Sequence, residues 1–193
     1  MDVEIRRLLP DLLEDYLYFF DHVGFTDHPE WSQCYCMHFH WEPAWMDGPD
    51  ILPREQAAQL VNEGTIQGYL AYANGQIAGW CNANDRENYS VIQLPGRKKL
   101  WDRTSRGKRV KSIVCFTVAP ALRGQGVATQ LLAQVCEDAK REGYDFLEAY
   151  PVRNKADCYA HHHGPPKLYS NFGFFVHKKY RYYSVMRRDL KGQ

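Results

Sequence analysis

Apolar positions recur along this chain with two periods. From Pro10 to His22, Leu12, Leu13, Tyr16, Leu17 and Phe20 stand three and four residues apart, the spacing of one helix face. Pro10 suits a first helical turn, where its missing N–H costs nothing. Arg54 to Glu63 predicts a second helix closed by Gly64. Val127 to Glu142 predicts a third, with Val127, Leu131, Val135 and Ala139 on one stripe and Gly143 as its stop. Between these lie strand-like runs. Val3 to Leu8 alternates weakly. Gly68–Ala73 and Gln76–Asn82 flank Asn74-Gly75, a dipeptide that favours a tight hairpin. Ser112–Val118 is β-branched and apolar, Asp145–Tyr150 follows the third helix, and Phe174–Val176 and Tyr182–Arg187 close the series. A short helix precedes the last two. This order predicts an α/β (α+β) fold, a mixed sheet covered by helices.

Composition narrows the picture. Of 193 residues, 45% are hydrophobic and 24% charged, as expected for a folded globular chain read here as a single domain over 1–193. The formal net charge is +1, which points to neither nucleic acid nor an acidic partner. No run approaches a membrane span, and the acidic start Met1-Asp2-Val3-Glu4 carries no secretory pattern. Six scattered cysteines in such a chain read as free thiols in a reducing cytoplasm.

The most informative segment is Val118-Ala119-Pro120-Ala121-Leu122-Arg123-Gly124-Gln125-Gly126-Val127-Ala128. A buried strand ends, glycines turn the chain, and a helix begins at once. Backbone N–H groups of a first helical turn converge on one spot, and the helix dipole adds positive charge there. Glycines let that backbone approach a phosphate closely. The result is an anion cradle suited to a pyrophosphate. A Walker A loop needs Lys and Ser or Thr after the last glycine, where Val127-Ala128 stand; the dinucleotide three-glycine spacing is also absent.

This segment resembles the core motif of the GNAT superfamily of acetyl-CoA-dependent N-acetyltransferases, Val-x-Pro-x-x-Arg-Gly-x-Gly-[Val/Ile]-[Ala/Gly], without a gap. A second family feature, a Tyr four residues before Gly-Phe, stands as Leu168-Tyr169-Ser170-Asn171-Phe172-Gly173-Phe174. The likeness is good over roughly the C-terminal half; residues 1–110 match in element order alone. It implies a mainly antiparallel sheet splayed between the strand at 112–118 and the strand at 145–150. It also implies acetyl-CoA as co-substrate, no metal, and a small-molecule primary amine as acceptor. Carried over residue by residue, the pyrophosphate meets the backbone of Arg123, Gly124, Gln125, Gly126, Val127 and Ala128. The pantetheine arm lies along Phe116, Thr117 and Val118, whose side chains can equally be plain core. Tyr169 matches the general acid that protonates the departing thiolate, and a strand N–H near Val118 can hold the oxyanion. Glu148 is the candidate base. A histidine of His161-His162-His163, or water, is the rival. The chain departs from the family upstream of Tyr169, where Gly164-Pro165-Pro166 shortens the helix.

From Asp21 to Asp50 the chain carries six acids, no Lys or Arg, and the aromatics Phe25, Trp31, Tyr35, Phe39, Trp41 and Trp45. Rings beside carboxylates favour a cationic guest. Trp31, Tyr35, Trp41 and Trp45 are therefore candidate acceptor contacts for a small cationic amine; an acidic surface over an aromatic core gives the same pattern. Arg97 to Lys111 is basic and reads as a solvated loop that helps attract the coenzyme's phosphates. Cys34-Tyr35-Cys36-Met37-His38-Phe39-His40 alternates with the period of a strand, which argues against a zinc knuckle. Two other functions remain open: an acyl-CoA-binding module without turnover, and an N-acetyltransferase acting on a protein or peptide. Oligomeric state is left at monomer or homodimer.

Overall fold

The computed structural model describes residues 2–40, 52–89, 105–153 and 159–191. Seven strands form one sheet: β1 (Val3–Arg7), β2 (Gly68–Ala73), β3 (Gln76–Asp85), β4 (Val110–Val118), β5 (Phe146–Ala149), β6 (Phe175–Lys179) and β7 (Ser184–Asp189). Their spatial order is β1-β2-β3-β4-β5-β7-β6. Every pairing is antiparallel except β4 with β5, whose register runs from Val110↔Phe146 to Ile113↔Ala149. Beyond Ile113 the two strands part, and β4 runs on alone on that side to Val118. This is the splay expected between the strands at 112–118 and 145–150.

Helices cover both faces: α1 (Leu13–Tyr18), α2 (Pro53–Asn62), α3 (Val127–Arg141) and the short α4 (Pro166–Ser170). A 3-10 turn at Pro10–Leu12 enters α1, and a π turn at Phe19–Val23 leaves it. Strand alternation divides β2 between two cores. Leu70 and Tyr72 join Tyr16, Leu17, Phe20 and Trp80 under α1; Tyr69 and Ala71 join Val127, Leu131, Val135 and Ala139 of α3. Gly79 permits the close seating of α3. A Cβ there would stand 3.0 Å from Val127 Cγ1 and 3.4 Å from Leu131 Cδ1.

The hairpin at Asn74-Gly75 forms as expected, with φ of 50° and 79° at the two turn residues. One expectation fails. Cys34–His40 is not a strand: 3-10 turns at Pro29–Cys34 and Met37–His40 flank Tyr35 and Cys36, which both hold positive φ. The curled backbone packs the adjacent Tyr35 and Cys36 both inward, which one face of a pleated strand cannot do. The described part of the basic run also lies elsewhere than expected. Lys108, Arg109 and Lys111 sit at the start of β4 and engage Asp145 and Glu142 at the C-terminal end of α3. There they complement the negative end of the helix dipole, at the opposite end of α3 from the glycine turn. Residues 97–104 lie outside the described residues. No described helix is long and apolar enough to cross a membrane.

Candidate functional site

The glycine turn follows β4 directly. A 3-10 turn at Pro120–Leu122 leads to Gly124 (φ +75°) and Gly126 (φ +91°), the N-cap of α3. An L side chain in that region costs roughly 1–2 kcal/mol, which accounts for glycine at both positions. An added Cβ at either would meet no atom within 4 Å, so the space over the turn is open. The first-turn amides of Val127, Ala128 and Thr129 have no acceptor within the helix and face that space with its dipole. Gln125 turns its side chain back to Ala121 O at 2.8 Å, bracing the loop. Arg123 reaches Val118 O at 3.1 Å through Nε, and its Nη atoms grip both oxygens of Asp27. That guanidinium lowers the Asp27 carboxyl below its ordinary value.

A cavity of about 870 Å³ opens at this turn. It runs along Val114–Val118 of β4, in the gap between the splayed strands, to an aromatic end. Of the residues expected at the coenzyme, Phe116, Thr117, Val118, Arg123, Gly124, Gly126, Val127 and Ala128 line it, and Gln125 stands behind the turn. The aromatic end includes Phe20, Phe25, Trp31, Phe39, Tyr150 and Tyr183, with His28, His38, His162 and His163 between them. Trp31, a candidate acceptor contact, lines this end, stacked on His28 at 4.0 Å. Tyr35 does not: it is buried in the α1 core, and its hydroxyl donates to Asp21. Trp41 and Trp45 lie outside the described residues.

A break in β4 shapes the middle of the cavity. Asn82 pairs with Cys115 and Ala83 with Ile113, so Val114 is an extra residue bulged from the ladder. The Val114 carbonyl lies 2.9 Å from His163 Nδ1. A carbonyl only accepts, so the proton sits on Nδ1 and the Nε2 lone pair is left for another donor. Burial, with His162 alongside, pulls His163 down to about 3, so the ring is uncharged near neutral pH. Tyr150 hydrogen-bonds Ser112 Oγ at 2.7 Å and donates to Glu148 Oε2 at 3.1 Å. Burial and the Glu148 charge push its phenol well above its ordinary value, so it stays protonated.

The two expected catalytic side chains are not brought to the cavity wall. Glu148 is wholly buried behind Tyr150. Arg187 holds its carboxylate through Nε at 3.0 Å and Nη2 at 2.5 Å, and Arg86 through Nη1 at 3.3 Å. Tyr169 is also wholly buried, packed on Phe174 and Phe116, and its hydroxyl donates to His163 O at 2.6 Å. It braces the turn that carries His163. Sequence reasoning missed Tyr150, Phe20 and Tyr183. Tyr150 carried a signal, since it directly follows a strand at the splay; the other two were hidden in ordinary core patterns. Among the described residues no group of three or more His, Cys, Asp or Glu is arranged to hold a metal ion.

Residues 28–174 match the family model described as the acetyltransferase (GNAT) family. No curated protein sequence matches. Among solved structures, an N-acetyltransferase from Staphylococcus aureus Mu50 is 17% identical with a TM-score of 0.55, over 99% of this chain and 100% of that one. A polyamine N-acetyltransferase from Drosophila melanogaster is 14% identical with a TM-score of 0.56, over 96% and 98%. An N-acetyltransferase from Thermoplasma acidophilum, solved in complex with coenzyme A, is 13% identical with a TM-score of 0.55, over 98% and 99%. With sheet, splay and glycine turn in the order the motif requires, and the family model covering three quarters of its length, the chain belongs to the GNAT acetyltransferase family.

Proposed function

We propose that this protein transfers an acetyl group from acetyl-CoA to the primary amine of a small molecule, by direct attack in a ternary complex. One observation carries the reading. A single cavity of about 870 Å³ joins an open anion cradle, a stretch of β4 edge without a strand partner and an aromatic end. The donor fits its parts in sequence. The amides of Val127, Ala128 and Thr129 suit a pyrophosphate, the edge of β4 suits the amide-bearing pantetheine arm as an added strand, and the gap beside Val114 suits the thioester.

The roles of the chain's own groups follow. The neutral amine attacks the thioester carbonyl; the C–N bond forms, the C–S bond breaks, and the thiolate takes up the proton that the nitrogen sheds. His163 Nε2 accepts an amine N–H and orients the lone pair. Tyr150, protonated and on the wall, turns its single O–H from Glu148 to hydrogen-bond the leaving sulfur until that proton arrives. Tyr169 and Glu148 position these two, the first through the His163 carbonyl and the second through the Tyr150 hydroxyl. A second reading, coenzyme binding without turnover, draws support from the engagement of both expected catalytic side chains.

The test is calorimetric titration with acetyl-CoA, on the wild type and on Gly126→Glu, with thermal unfolding as a check of folding. The new side chain puts bulk and negative charge over the cradle. Micromolar binding lost in the folded variant supports the coenzyme site, and thiol release across an amine panel then separates transferase from binding module. No binding by folded wild type refutes both.

A further inference from the structure

A cationic acceptor was expected because rings stand near carboxylates in the sequence. Among the described residues no acid lines the cavity. Of the six acids, the three described ones are each already engaged: Asp21 by Tyr35 and Arg54, and Asp27 and Glu30 by Arg123 and His28, which themselves stand on the wall. The other three, Glu42, Asp47 and Asp50, lie outside the described residues. Among the described residues that line the cavity, Arg123 is the only one with a permanent charge, and it belongs to the coenzyme turn.

Resting on the transferase reading above, we infer that the acceptor is an arylalkyl monoamine, a primary amine on a short chain ending in an aromatic ring, and not a di- or polyamine. The aromatic end offers ring surfaces in two groups. Phe25 meets Trp31 edge-on at 6.4 Å, and Phe39 meets His163 edge-on at 5.9 Å, with Tyr150 also on the wall. Such edges and faces suit a planar ring, by offset or edge-on contact. The reacting nitrogen must be uncharged to attack, so a monoamine in its reactive form carries no charge at this end. A diamine keeps its distal ammonium and must bury it here.

The wall itself reports how such a charge fares. Ring faces attract cations, and Phe39 lies against the His163 ring. Yet burial holds that imidazole down to about 3. Burial and the neighbouring His162 and His38 rings disfavour charge at this place, and an ammonium here meets no described carboxylate on the wall.

The experiment measures kcat/KM at saturating acetyl-CoA for 2-phenylethylamine and tryptamine against putrescine and spermidine, by thiol release and product mass. The expected result is at least a tenfold preference for the aryl amines. Equal or better use of the polyamines overturns the inference and leaves the transferase reading standing. Acetylation of none of these, nor of amino acids or amino sugars, by protein that binds acetyl-CoA overturns both. A second variant tests the cause. His38 is exposed on the wall, so His38→Glu supplies a carboxylate without disturbing the core. It is expected to raise putrescine kcat/KM at least tenfold relative to 2-phenylethylamine. An unchanged ratio refutes the argument from charge.

Discussion

Replacing Glu148 with Gln separates a framework role from a chemical one. The carboxylate is wholly buried, and the two guanidiniums that hold it are themselves only 5% and 4% exposed. Glutamine keeps the shape and removes the charge. Among their described contacts Arg187 and Arg86 keep Ser105 Oγ, at 3.2 and 3.1 Å, a neutral oxygen. Removing one partner from a buried ion pair costs about 3–5 kcal/mol. In a domain of this size each kcal/mol lowers Tm by about 2–4 °C, so the expected drop is about 6–20 °C. The assay is thermal unfolding by circular dichroism, paired with acetyl transfer well below both transitions. The framework role predicts a large fall in Tm with turnover within about tenfold of wild type, the residual loss coming through Tyr150. A Tm within 2 °C of wild type together with a loss beyond a hundredfold in kcat would refute this reasoning and make Glu148 the base.

Three further outcomes follow from the site. Tyr169→Phe removes one buried hydrogen bond, to His163 O, and should cost about 1 kcal/mol of stability; kcat should fall less than tenfold, and a hundredfold fall with Tm unchanged would restore the acid role. Asp27→Asn frees Arg123 from a half-exposed ion pair and removes an anion beside the phosphate cradle, so acetyl-CoA should bind up to about fivefold tighter by calorimetry; weaker binding would mean that the pair positions the turn. His163 and His40 titrate at about 3 and about 4 when folded and near the ordinary imidazole value when unfolded. The unfolded state therefore binds more protons in that interval, and their contribution to stability is full above about pH 6.5 and erodes as pH falls toward 3. Between about pH 6.5 and 5, where most carboxylates stay ionised, each should contribute up to about 1.4 kcal/mol per pH unit. Denaturant melts across that range should give a shallower slope for His163→Gln, and an unchanged slope would refute its burial as a neutral ring.

Local signals carried the frame of this protein. The stripe Val127, Leu131, Val135 and Ala139 faces the core as its spacing demands, and Gly126 caps the helix because no other residue holds that φ cheaply. The glycine turn at one end of the cavity was legible for the same reason: a turn and a helix start are contiguous in sequence. The aromatic end was not. What Glu148 does is set by Arg187, 39 residues away, and Arg86, 62 away. What Tyr169 does is set by one carbonyl. Neither partner leaves a periodic mark. The segment Cys34–His40 misled because its alternation satisfied two geometries equally, and nothing local announced the left-handed backbone at Tyr35 and Cys36. The acids of the same region looked available, and only the fold brought Arg54 and Arg123 against Asp21 and Asp27.

The place of β7 has a consequence for how the chain is made. It comes last in sequence, yet it lies between β5 and β6 and carries Arg187 to Glu148. Until β7 docks, β6 has no strand to pair with, and Glu148 on β5 lacks this counter-charge. The cooperative unit therefore closes from its far end. The N-terminal hairpin and α1 layer can assemble early from sequence-local contacts, whereas the half bearing the catalytic gap remains an open seam, exposed to proteases and to other nascent chains, until the final strand slots into it.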